Sequence, residues 1–148
     1  MEQVLVFRLG EELYALAVAD IQEVIESPHY HYIPLAPAAF SGAINFHGSI
    51  LPVLDLGACL GFAGDRQNGR IIVLATSLCR LALAVTAIQR IVPLDADALL
   101  PSLKGCRLAG CSRAVFSLDG EMINLLDAAR LLTSLEMAEM GSGEDHGA

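Results

Sequence analysis

The sequence predicts a mainly β protein made of two small barrels that share one hydrophobic core. Short apolar runs with many β-branched residues are separated by turn signals, and an internal repeat divides the chain into two related halves. Five prolines, Pro28, Pro34, Pro37, Pro93 and Pro101, fall between the runs, where no ladder hydrogen bond is lost. In order, Val4 to Leu9 and Tyr14 to Val18 flank Gly10-Glu11-Glu12, a hairpin signal. Ala43 to Phe46 and Ile50 to Leu54 follow, with Gly42 and Gly48 allowing backbone conformations closed to other residues. Pro52 inside the second run has to sit where no ladder N–H is needed. Ile71 to Ala75, Leu81 to Val85, Ile88 to Val92, Arg113 to Leu118 and Met122 to Leu125 complete the strands, with Asp119-Gly120 as a tight turn.

Helices are few. Asp55 and Asp127 each follow a strand and precede LGACLG or AARLLTSLEMAEM, where a carboxylate can cap the first free N–H groups of a helix. In the longer segment Ala128, Leu131, Leu132, Leu135 and Ala138 gather on one face, which should pack on a barrel.

The repeat is explicit. ALAVADIQEVI at 15–25 recurs as ALAVTAIQRIV at 82–92, an offset of 67 residues, and LPVLDLGACL at 51–60 resembles INLLDAARLL at 123–132, an offset of 72. Two copies are too few for a solenoid, so a duplicated small barrel is expected.

Composition narrows the function. A net charge of −8, from 9 Lys and Arg against 17 Asp and Glu, is repelled by phosphate backbones and anionic bilayers, so nucleic acid is not an expected partner. The mean hydropathy of +0.53 raises the question of a membrane span over Ile71 to Ile88. A helix there would bury Arg80 near the bilayer centre at a cost of about 2.5 kcal/mol or more, so two buried strands are expected and no direct membrane insertion. Met1 to Gly10 lacks the features of a signal peptide, and a cytoplasmic location is the expectation. Cys59, Cys79, Cys106 and Cys111 have no C-x-x-C spacing; idle thiols are expected, with no metal and no cofactor. His29 and His31, set between Tyr30 and Tyr32, read as residues of a solvated loop.

Several motifs together resemble the CheW-like domain. Phe7, Leu9, Gly10, Glu11, Glu12 and Tyr14 fit its opening F-x-L-G, charged turn and aromatic. Val18, Ile21, Glu23 and Val24 fit V-x-x-V-x-E-V, and IPLAPAAFSGAINFHGSILPVLDL at 33–56 is similar to the family's central block. Leu125, Asp127, Leu131 and Leu132 fit its closing L-x-D-x-x-x-L-L, so the likeness spans residues 3 to 138. The resemblance implies a CheW-like fold of two five-stranded SH3-like β-barrels, a short helix after each half and a C-terminal helix. It gives a single domain over 1–140, with intertwined subdomains of roughly 1–62 and 70–126, a helix over 127–140 and a flexible tail over 141–148.

It also implies a non-catalytic adaptor in bacterial chemotaxis signalling, recruited to membrane-associated receptor arrays. Its partners would be the regulatory domain of a CheA-type histidine kinase, bound through barrel ends, and the cytoplasmic tip of a chemoreceptor, bound between the barrels. Glu23, His47 and Ile21 are the partner-binding candidates, with Glu23 and His47 as neighbours near the receptor-facing surface. The chain departs from the pattern at His47, where the family usually has Arg, and at Thr86, where it usually has Asp; both point to an accessory or specialised array. The alternatives are an isolated regulatory module of another two-component pathway, a piece of a larger kinase or receiver-linked protein, or a small enzyme. The natural-looking ends at Met1 and the Gly-rich acidic tail speak against the piece. No G-x-S-x-G, H-E-x-x-H, G-x-x-x-x-G-K or G-x-G-x-x-G occurs, and no catalytic residue is expected. Asp55 and Asp127 as paired acids have capping as their simpler explanation.

Overall fold

A computed structural model of the chain describes residues 2–26, 29–31, 34, 40–60, 69–101 and 111–133. Its strands are β1 (Gln3–Leu9), β2 (Glu12–Ala17), β3 (Ile21–Glu26), β4 (Phe40–Phe46), β5 (Ser49–Asp55), β6 (Arg70–Leu74), β7 (Ala82–Val85), β8 (Ala87–Pro93), β9 (Ser112–Leu118) and β10 (Glu121–Leu126). A short helix α1 (Leu56–Cys59) follows β5, and residues 128–133 form the described part of a second, α2. The expected helix end at 134–140 and the tail lie outside the described residues.

The strands form two five-stranded sheets, β8-β1-β2-β10-β9 and β3-β6-β7-β5-β4, giving the mainly β, two-barrel architecture expected from the sequence. Neither sheet follows the halves of the chain. Each takes the first hairpin of one half, β1–β2 or β6–β7, and the last three strands of the other. Strands from both halves thus share each sheet, and each sheet contains one parallel pair, β2 with β10 and β5 with β7. The crossing is made at the 3-10 turn Val18–Asp20, where Val18 and Ile21 pack against the apolar layer between the sheets.

That layer explains the apolar character of the sequence. Leu5, Phe7, Leu9, Tyr14 and Leu16 from one sheet meet Leu54, Ile72, Leu74, Leu83 and Val85 from the other, and Leu126 and Leu131 join them. The alternate residues point into separate barrel interiors: Val4, Val6 and Ala15 with Phe116 and Ile123 in the first sheet, and Ile71, Val73, Ala82 and Ala84 with Ile44 and Val53 in the second. β1, β2, β6 and β7 are thus buried on both faces, which makes them continuous apolar runs instead of polar–apolar alternations. The repeated ALAV has the same logic in both copies. Ala15 of the first copy and Ala82 and Ala84 of the second fit the narrow barrel interiors, and the leucine of each copy enters the shared layer.

The turn chemistry follows the sequence. Asp119 and Gly120 have φ of 52° and 82°, and His47 and Gly48 have 50° and 84°, the paired positive values of a two-residue type I′ hairpin. Gly42, at φ 147°, approaches the carbonyl of His31 so closely that a Cβ would lie 2.8 Å from it. That carbonyl and the His31 N–H both bond to Ala43, so His31 adds a backbone bridge to the outer edge of β4 although its side chain is solvated. Because the Ala43 groups face His31, its cross-strand pair with Pro52 is a non-hydrogen-bonded one. The missing Pro52 N–H faces the β7 side, and pairing with β7 begins only at Val53.

β3 lies outside the apolar runs that the sequence marks as strands. Its burial is mixed, with no clean alternation, because only part of it covers the core. Both expected caps form: Asp55 accepts from the Ala58 N–H at 3.1 Å, and Asp127 from the Arg130 N–H at 3.1 Å.

Fully buried Leu16 and Leu83 touch the shared layer. Leu16→Ala or Leu83→Ala is expected to cost about 2–5 kcal/mol, and Ala84→Leu, which overfills a barrel, roughly 1–3 kcal/mol. Urea unfolding checks this; a loss under about 1 kcal/mol for both leucine variants would show that the layer is not close-packed. Asp20 supplies a pH-dependent contrast. Burial, then Asp127 and Glu2, push its carboxyl above the ordinary range, with Arg113 opposing. A raised pKa in the folded state makes ionisation a cost to stability, absent below the ordinary value and complete above the raised one. Asp20→Asn is expected to raise the urea midpoint at neutral pH and to lose that advantage in acid. An advantage that persists in acid would point to packing instead of charge.

Candidate functional site

The end of the second sheet gathers two of the three partner-binding candidates. His47 occupies the first position of the β4–β5 turn, in a left-handed conformation that histidine tolerates better than most side chains. Asn45 Oδ1 accepts the Gly48 N–H at 3.1 Å and holds the turn, while the Phe46 ring packs edge-on to the imidazole with centroids 4.3 Å apart. From this position His47 Nε2 lies 3.9 Å from Glu23 Oε1 on β3. The side chains are 73% and 46% exposed, so the pair is a solvated surface contact whose attraction requires a protonated imidazole. Ile21 is half-buried against the shared layer.

The repeat gives this pair a counterpart that the sequence reading missed. The offset of 67 residues carries Glu23 onto Arg90, and the offset of 72 carries His47 onto Asp119. Arg90 and Asp119 form an ion pair between β8 and the β9–β10 turn. Each sheet is therefore tied across its outer strands by one strand residue and one turn residue at equivalent places. The polarity is reversed: carboxylate on the strand and imidazole on the turn in one sheet, guanidinium on the strand and carboxylate on the turn in the other.

Thr86 has a local explanation. Its Oγ1 accepts the Gly10 N–H at 2.9 Å, and its own N–H donates to the Arg8 carbonyl at 3.0 Å, so the β7–β8 link is tied to the β1–β2 hairpin. The position needs an acceptor, which Thr supplies as an Asp would.

The other candidates for chemistry do not assemble. Asp55 and Asp127 are occupied as caps. Among the described residues no cluster of three His, Cys, Asp or Glu side chains could hold a metal, and no helix is long and apolar enough to cross a membrane. Burial, then Cys111 and Asp55, raise the Cys59 thiol pKa, which keeps it protonated and weakly nucleophilic. Cys106 lies outside the described residues.

Fold and site define a class: a β protein of two small sheets on a common core, with an Arg–Asp ion pair and a His–Glu contact displayed on turns and outer strands. The model of the CheW-like domain matches residues 3–136, and the chain belongs to that family. It is 25% identical over 138 residues to the chemotaxis protein CheW of Thermotoga maritima, covering 93% of this chain and 91% of that one. With the chemotaxis protein CheW of Klebsiella aerogenes it shares 27% identity over 142 residues, covering 93% and 85%. The crystal structure of the scaffolding protein TtCheW from Thermoanaerobacter tengcongensis superposes with a TM-score of 0.75 at 28% identity, covering 88% of this chain and 91% of that one.

Thr86→Val keeps the shape but removes the acceptor. It is expected to cost about 1 kcal/mol, whereas Thr86→Asp restores most of the loss. Equal stability of Thr86→Val and wild type in urea would show that water replaces the hydroxyl.

Proposed function

We propose that the protein is a non-catalytic cytoplasmic adaptor that couples the cytoplasmic tip of a chemoreceptor-type sensor to the regulatory domain of a CheA-type histidine kinase. The observation that carries this reading is the exposed Glu23–His47 pair at a barrel end of a chain that belongs to the CheW-like family from residue 3 to 136. Relatives named for chemotaxis and a structural neighbour named as a scaffold support it. A barrel end is a small, rigid, preformed surface. It suits a modest interface of about 1,200 Å² in total and micromolar affinity, as an exchangeable signalling contact requires. Titration against the kinase regulatory domains and receptor tips encoded with it tests the assignment. Micromolar binding to one of each is expected; no binding to any, alongside turnover of a metabolite, would overturn it.

His47 is the basis for placing the adaptor in an accessory or specialised array. An arginine on this turn would be charged at all physiological pH and could bind the Glu23 carboxylate through two parallel hydrogen bonds. The imidazole offers only one N–H to that carboxylate, and it attracts the carboxylate only in its protonated form. His47→Arg is therefore expected to shift receptor co-assembly towards standard chemoreceptor tips. Identical receptor preference in both proteins would make His47 a bystander and remove the specialised placement.

A further inference from the structure

A second feature of the same barrel end faces outward. Between the β4–β5 turn and the link from β6 to β7 lies a depression of about 150 Å³, with Phe46, Leu51, Val73 and Leu74 among its lining and His47 and Arg80 at its polar side. An apolar cavity of about this size elsewhere takes up benzene, so the volume suits the end of one aliphatic side chain.

Charge selects what accompanies that side chain. Of the six described arginines, Arg70, Arg90, Arg113 and Arg130 face Glu26, Asp119, Glu2 and Asp127 respectively. Arg8 and Arg80 have no ion-pair partner among the described residues. Their surroundings differ. Arg8 shares its cavity with Glu11, Glu12 and Glu121, which would repel an incoming anion. The depression beside Arg80 is lined by no described carboxylate, and Glu23, though 3.9 Å from His47, is not part of its wall. In a chain of net charge −8, Arg80 is the described guanidinium left open beside an apolar recess. Arg80 is also exposed on the link between two strands, where a partner can reach it.

We infer that this depression is a docking site for an acidic segment of a partner protein, which inserts one aliphatic side chain between Phe46 and Leu74 and sets a neighbouring carboxylate against Arg80. The inference rests on the adaptor reading and deepens it by naming the chemistry that the partner must present. Attraction between an exposed guanidinium and a carboxylate acts mainly on association and weakens with salt, while the inserted side chain governs the lifetime of the complex.

The experiment uses the full chain, the receptor tip and the kinase regulatory domain as separate titrants, with wild type, Arg80→Glu and Thr76→Trp. Thr76 is an exposed turn residue on the wall, and its replacement plugs the recess from outside the core. Circular dichroism and urea midpoints first establish that both variants fold as wild type does. For one of the two titrants Arg80→Glu is expected to lower affinity about tenfold and to flatten its salt dependence. Thr76→Trp should lower affinity for that same titrant with the salt dependence kept, and exchanging the partner's carboxylate for lysine should restore binding to Arg80→Glu. If wild type binds both titrants and both variants match it, the docking site is overturned and the adaptor assignment stands. If wild type binds neither titrant, the adaptor reading falls and this inference falls with it.

Discussion

Four strands that must be dry on both faces organise this molecule. β1, β2, β6 and β7 send alternate side chains into their own barrel and into the layer between barrels, so neither sheet can exist with its outer face in water. The volume rules are correspondingly tight. Alanines 15, 82 and 84 occupy barrel interiors too narrow for leucine, while Leu16, Leu83, Phe7 and Ile72 fill the wider common layer. The charged residues are left with the strand edges, the turns and the ends. That is where the Glu23–His47 and Arg90–Asp119 pairs and the Arg80 guanidinium are found.

Much of this was legible in the residues. Doubly buried strands write themselves as VLVF, IIVL and LALAV, and two-residue turns as Asp119-Gly120, because backbone geometry admits few alternatives. β3 was harder, since IQEVIE carries two carboxylates and covers the core with only part of its surface. The repeat carries the signal instead: the equivalent IQRIVP segment reads as a strand, and IQEVIE is its copy. The exchange of hairpins between halves left no local trace, because a strand's apolar pattern states that it is buried and not which neighbour buries it. His31 shows the converse limit: a residue that looks solvated by its side chain can still be tied down by its backbone.

At the candidate site, proximity of Glu23 and His47 followed from the resemblance, but its physical setting did not. The left-handed φ of His47, the Asn45 bond to Gly48 and the Phe46 ring together determine where the imidazole points. The Arg90–Asp119 counterpart shows that a contact across these positions also serves the barrel itself. A residue there has the closing of its own sheet to serve. The reading of Thr86 as a specificity change weakens on the same grounds, since its hydroxyl is already committed to the Gly10 N–H.

The exchange of hairpins has a consequence for how such a chain can be taken apart. A cut between residues 60 and 69 falls at the boundary of the sequence repeat, yet it would leave one fragment with β1 to β5 and the other with β6 to β10, each holding parts of both sheets and the whole of neither. The repeat unit of the sequence is not the cooperative unit of the fold. Neither piece holds a complete sheet by itself, so the cut chain can rebuild a native sheet only by complementation between the two severed pieces.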